Sequence, residues 1–191
     1  MMRKLIPFFI LILALQSKAQ TGGLQAGPVL TFLGKSEKGY GAELIANIPV
    51  EKKFSIGAGV RLMKFNSEPN LYAPVFATFK LSVAANKVIY FFNIDPGYGI
   101  HSFHNSFIYE AMNGKFQYEF KNSGGFYLGT GAGLRLKSKA SPYINLQYSM
   151  YGFKYLMKAT ELNLLKETGY IDHRVTTGIT LTAGIWLHAK K

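Results

Sequence analysis

The sequence predicts an all-β protein, an eight-stranded antiparallel transmembrane β-barrel, and three observations favour this fold class. The first is an N-terminal segment in which basic residues, an apolar run and small residues follow one another, as they do in an export signal. The second is a series of segments of roughly ten residues in which apolar and polar side chains alternate. The third is a difference in length between the connections at the two ends of these segments.

The beginning of the chain has the features of a secretory signal peptide. Arg3 and Lys4 precede an apolar run, and Ala19 ends a cleavage site of small residues. The apolar run is too short to cross a membrane as a helix, and no later run approaches the ~20 residues that such a helix needs. We therefore expect residues 1–19 to be a signal peptide and residues 20–191 to form one exported domain.

The composition narrows the classes of function. Charged residues make up 17% of the chain, against about 25% in a typical soluble domain. The absence of cysteine excludes a disulfide framework, a thiolate metal site and a nucleophilic thiol. The net charge of +12 falls to +9 without the signal-peptide cations Arg3, Lys4 and Lys18. Because the lysines are scattered between segments, this charge indicates anionic lipid head groups as the counterpart, and not nucleic acid.

Eight segments alternate with a period of two, which predicts strands because successive side chains of a strand point to opposite faces. In the third segment, for example, Val60 and Leu62 share one face, while Gly59 and Arg61 share the other. One face is apolar throughout, and the opposite face is rich in Gly, Thr, Asn, Gln and Ser. The approximate limits are 24–33, 39–49, 54–65, 71–82, 87–100, 125–137, 142–153 and 174–188.

The apolar face is expected to point outward, into lipid. If the opposite face pointed outward, its residues would interact only weakly with water. Its glycines instead suit the narrow interior of an eight-stranded barrel. The alternative is a soluble, secreted, lipocalin-like binding barrel, in which the apolar face would line the interior. Alternation alone does not distinguish the two assignments.

The connections favour the membrane assignment. Bacterial outer-membrane barrels have short periplasmic turns and longer outer loops. In this sequence short connections follow the second, fourth and sixth segments, and the long ones lie at the other end. The short connections are 50–53, 83–86 and 138–141, and the long loops are 101–124 and 154–173. We therefore expect an outer-membrane location, with both ends of the barrel chain on the periplasmic side.

Two neighbouring segments resemble a known family. The Gly-rich residues 124–137, GGFYLGTGAGLRLK, and residues 141–148, SPYINLQY, are similar to strands of small porin-family outer-membrane barrels of the OmpX or OmpA type. The resemblance implies contact with outer-membrane lipids and lipopolysaccharide, and insertion by the barrel-insertion machinery. Members of that family commonly end in an aromatic residue, whereas this sequence ends in Lys191.

Five charged residues are predicted to form a polar network in the lumen: Glu43, Arg61, Lys80, Asp95 and Arg135. A turn centred near residues 51–52 gives cross-strand partners a residue-number sum of 104, which places Glu43 opposite Arg61. The network is interpreted as a polar plug, because eight strands leave room only for side chains. A narrow channel is the alternative.

The two long loops are predicted to be the interaction surface for an extracellular protein or another surface partner. Their candidate contact residues are Phe103, Phe107, Tyr109, Leu162 and Leu165, since exposed apolar clusters often mark contacts. Alternation over residues 115–120 predicts a β-ribbon. Thr160 is a candidate N-cap, and Gly169 a candidate stop, for a helix in the second loop.

No catalytic, cofactor or metal site is predicted, and the protein is expected to be non-catalytic, with a structural or surface-interaction role. The alternative is an outer-membrane lipid-modifying enzyme that uses His104 and Ser106, with Glu110 or Glu119 as the acidic partner. A serine nucleophile needs an adjacent base. This group is interpreted as part of a solvated, mobile loop.

Overall fold

The computed structural model describes residues 23–34, 37–66, 71–101, 103–111, 114–122, 124–138, 140–161 and 166–188. The predicted signal peptide, Leu162 and Leu165 lie outside these ranges. The strands of the described chain are β1 Gly23–Leu33, β2 Glu37–Pro49, β3 Phe54–Phe65, β4 Leu71–Ala85, β5 Val88–His101, β6 Phe103–Ala111, β7 Gly114–Asn122, β8 Gly125–Leu136, β9 Ala140–Glu161 and β10 Lys166–His188. Within the same ranges, no helix is long and apolar enough to cross a membrane.

Eight strands form an antiparallel ring. Their order is β10-β1-β2-β3-β4-β5-β8-β9, and the pairing of β9 with β10 closes it. The eight predicted segments correspond to these strands. Each of the first six has limits within three residues of the prediction, whereas β9 and β10 are longer than predicted. The alternation therefore identified the ring strands correctly.

Strands replace the two predicted long loops. The β6–β7 hairpin follows β5, and β7 pairs with the far part of β9, from Asn122 opposite Tyr155 to Phe116 opposite Glu161. We call β6, β7, residues 155–161 of β9 and residues 166–172 of β10 the extension sheet. It continues the ring at one end, and the predicted β-ribbon over residues 115–120 is part of β7.

The predicted helix near Thr160 is wrong for the described residues. Thr160 lies in β9 opposite Glu167, and Gly169 lies in β10 opposite Lys158. A helix this short is marginal on its own. The far part of β9 instead has a hydrogen-bonded partner on each side, β10 and β7.

The ring has its buried polar side chains and aromatic rings inside, together with a few aliphatic side chains such as Val29 and Ile45, and its outside is largely apolar. In β3, Arg61 and Met63 are buried, while the intervening Leu62 is exposed. The exposed outer side chains include Leu24, Leu30, Leu44, Leu81, Phe92, Ile94, Leu146, Ile179 and Leu187. Burial of apolar side chains is the usual arrangement in water. In the ring, by contrast, the charged side chains of Glu43, Arg61, Lys80 and Asp95 are buried, while many large apolar side chains are exposed.

The two ends of the ring differ. At the turn end, short connections join Pro49 to Phe54 and Ala85 to Val88. Asn86 has a φ of 47° in the second of these, a left-handed conformation that asparagine adopts more readily than most residues. The start of β1 and the end of β10 also lie at the turn end. Gly23 pairs with His188 and with Asn47, and Asn47 is close to the β2–β3 connection. The extension sheet lies at the other end.

The ring does not depend on the β6–β7 hairpin, because β5 and β8 pair directly up to Gly99 and Gly125. We predict that replacing residues 103–122 by a short Gly-Ser linker leaves the ring folded, with its unfolding midpoint within about 4 °C of the parent. Thermal circular dichroism and a heat-dependent gel shift measure this. Loss of strand signal before heating contradicts the prediction.

A matched positive control is Gly59→Leu, inside the ring. A Cβ atom at Gly59 would lie 2.6 Å from the Phe76 ring, so overpacking is expected to lower the free energy of unfolding by about 1–3 kcal/mol.

Candidate functional site

The centre of the interior is an ion pair. Arg61 Nη2 and Nε donate to Glu43 Oε2 at 2.6 and 3.1 Å. The two residues are opposite each other on β3 and β2, which confirms the register predicted from the sum of 104. Both are almost fully inaccessible, at 0% for Arg61 and 4% for Glu43. A charge in such a position has to be compensated by a partner.

Arg61 also reaches the opposite side of the ring. Its Nη1 donates to the Tyr127 hydroxyl on β8 at 2.8 Å, and its Nη2 donates to Gln147 Oε1 on β9 at 2.7 Å. Glu43 Oε1 accepts a hydrogen bond from the Tyr143 hydroxyl at 3.1 Å. The fixed fork of guanidinium donors suits such a multiply bonded position. One side chain thus joins four strands across the interior.

Asp95 on β5 is the second buried anion. Its carboxylate accepts hydrogen bonds from Thr78 Oγ1 at 2.5 Å, Asn93 Nδ2 at 2.7 Å and Gln147 Nε2 at 2.5 Å. The Gln147 amide accepts from Arg61 and donates to Asp95, so it connects the two anions' networks. These three hydrogen bonds from neutral donors satisfy the buried Asp95 carboxylate.

Lys80 and Arg135 lie toward the turn end. The buried Lys80 ammonium donates to Gln25 Oε1, and it lies 5.1 Å from the centre of the Trp186 ring. The Arg135 Cζ lies 3.7 Å from the same ring centre. Cations at such distances are attracted by the negative face of an indole. The side chains of the five predicted lumen residues thus point into the ring. Within the described part of the chain, the ion pair among these five residues joins Glu43 and Arg61.

Aromatic side chains fill the interior near the extension sheet. Tyr72 packs against Tyr151 and Phe153, with ring centres 5.6 and 5.1 Å apart. The Tyr151 hydroxyl lies 3.3 Å from Thr31 Oγ1 and 3.0 Å from Thr180 Oγ1. The interior is therefore occupied by side chains both at its centre and toward the extension end.

The neutral members of the network were not singled out from the sequence. Tyr127, Gln147, Thr78 and Gln25 lie on the polar faces of their strands, so the alternation contains the signal that places them inside. Which of them meet depends on distances across the ring. Strand pairing does not fix those distances.

The extension sheet carries two of the predicted contact residues on its exposed surface. Phe107 and Tyr109 of β6 are exposed, and Phe107 stacks on Tyr118 and Phe120 with ring centres 5.4 and 5.7 Å apart. Phe103 begins β6, and the structure describes its backbone only. Leu162 and Leu165 lie outside the described residues.

His104 and Ser106, the candidates of the enzymatic alternative, lie on a strand and not in the predicted mobile loop. His104 pairs with Lys121, and Ser106 pairs with Glu119, in the β6–β7 hairpin. Among the described residues, no group of three His, Cys, Asp or Glu side chains is arranged to hold a metal ion.

No protein-family model matches this sequence, and no curated protein matches it. Function is therefore inferred from the interior, the outer face and the two ends of the ring.

Removing one partner of the central pair is expected to leave an uncompensated buried charge. We predict that Arg61→Met lowers the free energy of unfolding by about 3–5 kcal/mol. The double variant Glu43→Leu/Arg61→Met should lose clearly less than the sum of its two single variants, because no lone charge remains. Urea unfolding of the refolded protein, followed by Trp186 fluorescence, measures both.

The control is the exposed pair Arg174–Asp172, whose atoms lie 2.6 Å apart. Arg174→Met should leave the urea midpoint unchanged, because exposed pairs contribute little. Equal midpoint shifts for Arg61→Met and Arg174→Met would contradict a central role for Arg61.

Proposed function

We propose that the protein is an outer-membrane β-barrel that crosses the membrane with its eight ring strands and presents the extension sheet at the cell surface as a non-catalytic interaction surface. The observation that carries this proposal is the inverted distribution of polarity. Buried charges lie inside the ring, and large apolar side chains are exposed around it.

The outer face has the chemistry and the extent of a lipid-facing surface. Monomeric proteins in water rarely expose contiguous apolar patches larger than a few hundred Å², whereas here exposed aliphatic and aromatic side chains occur on every ring strand. β1 and β3 have 11 and 12 residues, close to the ~9–11 that a tilted transmembrane strand needs. A lipocalin-like carrier would need the opposite assignment of faces.

The two ends support one orientation. The turn end has the short connections that are typical of the periplasmic side. The signal peptide predicted over residues 1–19 is consistent with export. In this orientation outer-membrane lipids and lipopolysaccharide surround the apolar face, and the barrel-insertion machinery places the chain there, as the resemblance to small porin-family barrels implies.

The filled interior supports an anchor more than a channel. Arg61 bridges the ring at its centre, and the Tyr72 and Tyr151 rings occupy the space toward the extension end. A conducting path would require these contacts to break. The proposed role of the lumen is therefore to stabilise the barrel.

The extension sheet supports a surface-interaction role. Its strand order is β6-β7-β9-β10, so β6 lies at one edge, and β10 pairs with β1 only as far as Gly178. Exposed apolar residues accompany these edges, among them Ile108, Tyr109 and Tyr170. Unpaired strand edges accept a strand from another protein, with side-chain pockets giving specificity. An extracellular protein is the partner class proposed.

Location and orientation are tested on intact cells. The expected result is recovery in the outer-membrane fraction, a heat-dependent gel shift, and protease cleavage in the β6–β7 hairpin, with protection of the turn-end connections. A periplasmic control protein must stay intact. Recovery in the soluble periplasmic fraction would overturn the membrane proposal.

A charge on the outer face should distinguish lipid from water around the ring. We predict that Leu44→Arg, near the middle of β2, lowers the free energy of unfolding in lipid vesicles by about 2–4 kcal/mol, since charge is costly at mid-membrane depth. Leu71→Arg, at the start of β4, should cost about 0–1 kcal/mol. Urea titrations of both variants measure this depth dependence, and equal small effects would argue for an outer face in water.

A further inference from the structure

A cavity opens at the turn end of the ring. Its volume is about 180 Å³, several times the ~30 Å³ that one water molecule occupies in the liquid. The β2–β3 connection forms one wall, and residues at the turn-end parts of β1, β2, β3, β4, β8 and β10 form the rest. Its lining includes Asn47, Lys52, Lys53, Ser55, Arg135 and Trp186.

The charged residues inside the ring leave an excess of positive charge, and part of it lies at the wall of this cavity. The five charged lumen residues comprise three cations and two anions. Glu43 is paired with Arg61, and Asp95 is held by three neutral donors deeper in the ring. Arg135 is the cation at the cavity wall, and a partly buried cation without an anionic partner is unfavourable.

Arg135 has hydrogen-bond donors to spare. Its Nε and Nη1 atoms are inaccessible to solvent and have no hydrogen-bond partner within the described part of the chain. Its guanidinium carbon lies 3.7 Å from the centre of the Trp186 ring, so the planar group is held in place by stacking. Because these two donors are closed to solvent in the stacked position, an oxyanion in the cavity reaches them only when the guanidinium turns away from the Trp186 ring, and its fork of donors then suits bidentate recognition.

The other lining groups also favour an anion. Lys52 and Lys53 add two cations from the β2–β3 connection, and Ser55 and Ser82 add hydroxyl donors. Glu51 is the one acidic residue in the lining, so the lining is net positive by two charges. Lysine supplies a point charge, whereas arginine supplies directed donors.

We propose that this turn-end cavity is a binding site for a phosphate group, with Arg135 as the directing residue and Lys52 and Lys53 as supporting charges. A phosphate offers several acceptor oxygens and up to two negative charges, which match three cations better than a single carboxylate does. The group can belong to a free phosphate or to a lipid head group. This site goes beyond the interaction role proposed for the extension sheet and does not depend on it.

The test uses the full mature chain, refolded in a detergent without phosphate, and titrates inorganic phosphate by calorimetry and ³¹P line broadening. Arg135→Gln should raise the phosphate dissociation constant at least about tenfold, since hydrogen bonds to charged groups are among the stronger ones. Lys52→Gln/Lys53→Gln should weaken binding less, with a smaller salt dependence.

The matched control is Lys137→Gln, which removes one exposed cation from the same end of the ring but outside the cavity. It should bind phosphate like the parent. Folding of every variant is checked by the heat-dependent gel shift, and Arg135→Lys provides a second variant that keeps the charge while removing the fork of donors. That variant should bind more weakly than the parent.

The source of the phosphate is tested with vesicles. If phosphatidylglycerol vesicles, but not inorganic phosphate, compete with a bound phosphate-bearing fluorophore in an Arg135-dependent manner, the ligand is a lipid head group. Competition by inorganic phosphate alone indicates a free ligand. No binding by the parent at millimolar phosphate and no competition by vesicles, or identical affinities for the parent, Arg135→Gln and Lys137→Gln, would overturn the proposal. Neither result bears on the proposed interaction role.

Discussion

The structure depends on how Arg61 is neutralised at the centre of the ring. A guanidinium with no access to solvent requires an anion and several acceptors. Glu43 supplies the anion from the neighbouring strand, while Tyr127 and Gln147 supply acceptors from the far side. These contacts tie distant strands to one another, and through Gln147 they also orient Asp95. Arg61, Glu43, Gln147 and Asp95 therefore belong to one connected hydrogen-bond network, and a change at one of them removes contacts between several strands.

The narrowness of the ring explains the composition of the inner face. The large side chains of Tyr127 and Phe76 fit into the interior because Gly129 and Gly59 lie beside them. Gly59 leaves the space that the Phe76 ring occupies, and Gly133 does the same for Phe91. The glycine-rich inner face thus follows from one constraint: buried polar groups need partners, and a small ring has room for their side chains only where glycines leave space.

The sequence predicted what depends on local order, and it missed what depends on distance across the fold. Alternation identified the ring strands, and turn geometry identified the Glu43–Arg61 register, because both follow from neighbouring strands. The bridging role of Gln147 follows from the diameter of the ring. The extension sheet was missed in part because Phe107, Ile108 and Tyr109 are consecutive apolar residues without alternation. Its β7–β9 pairing joins segments that are far apart in the chain.

The two ends of the molecule are separated by this filled interior. Between the turn-end cavity and the extension sheet, the hydrogen-bonded side chains of Arg61 and Tyr151 lie inside the ring. β9 and β10, with 22 and 23 residues, run without interruption from the ring into the extension sheet. Gln147 and Trp186 lie on these same two strands, one in the central network and one at the cavity wall. A displacement of β9 or β10 at the turn end would therefore be carried directly into the extension sheet.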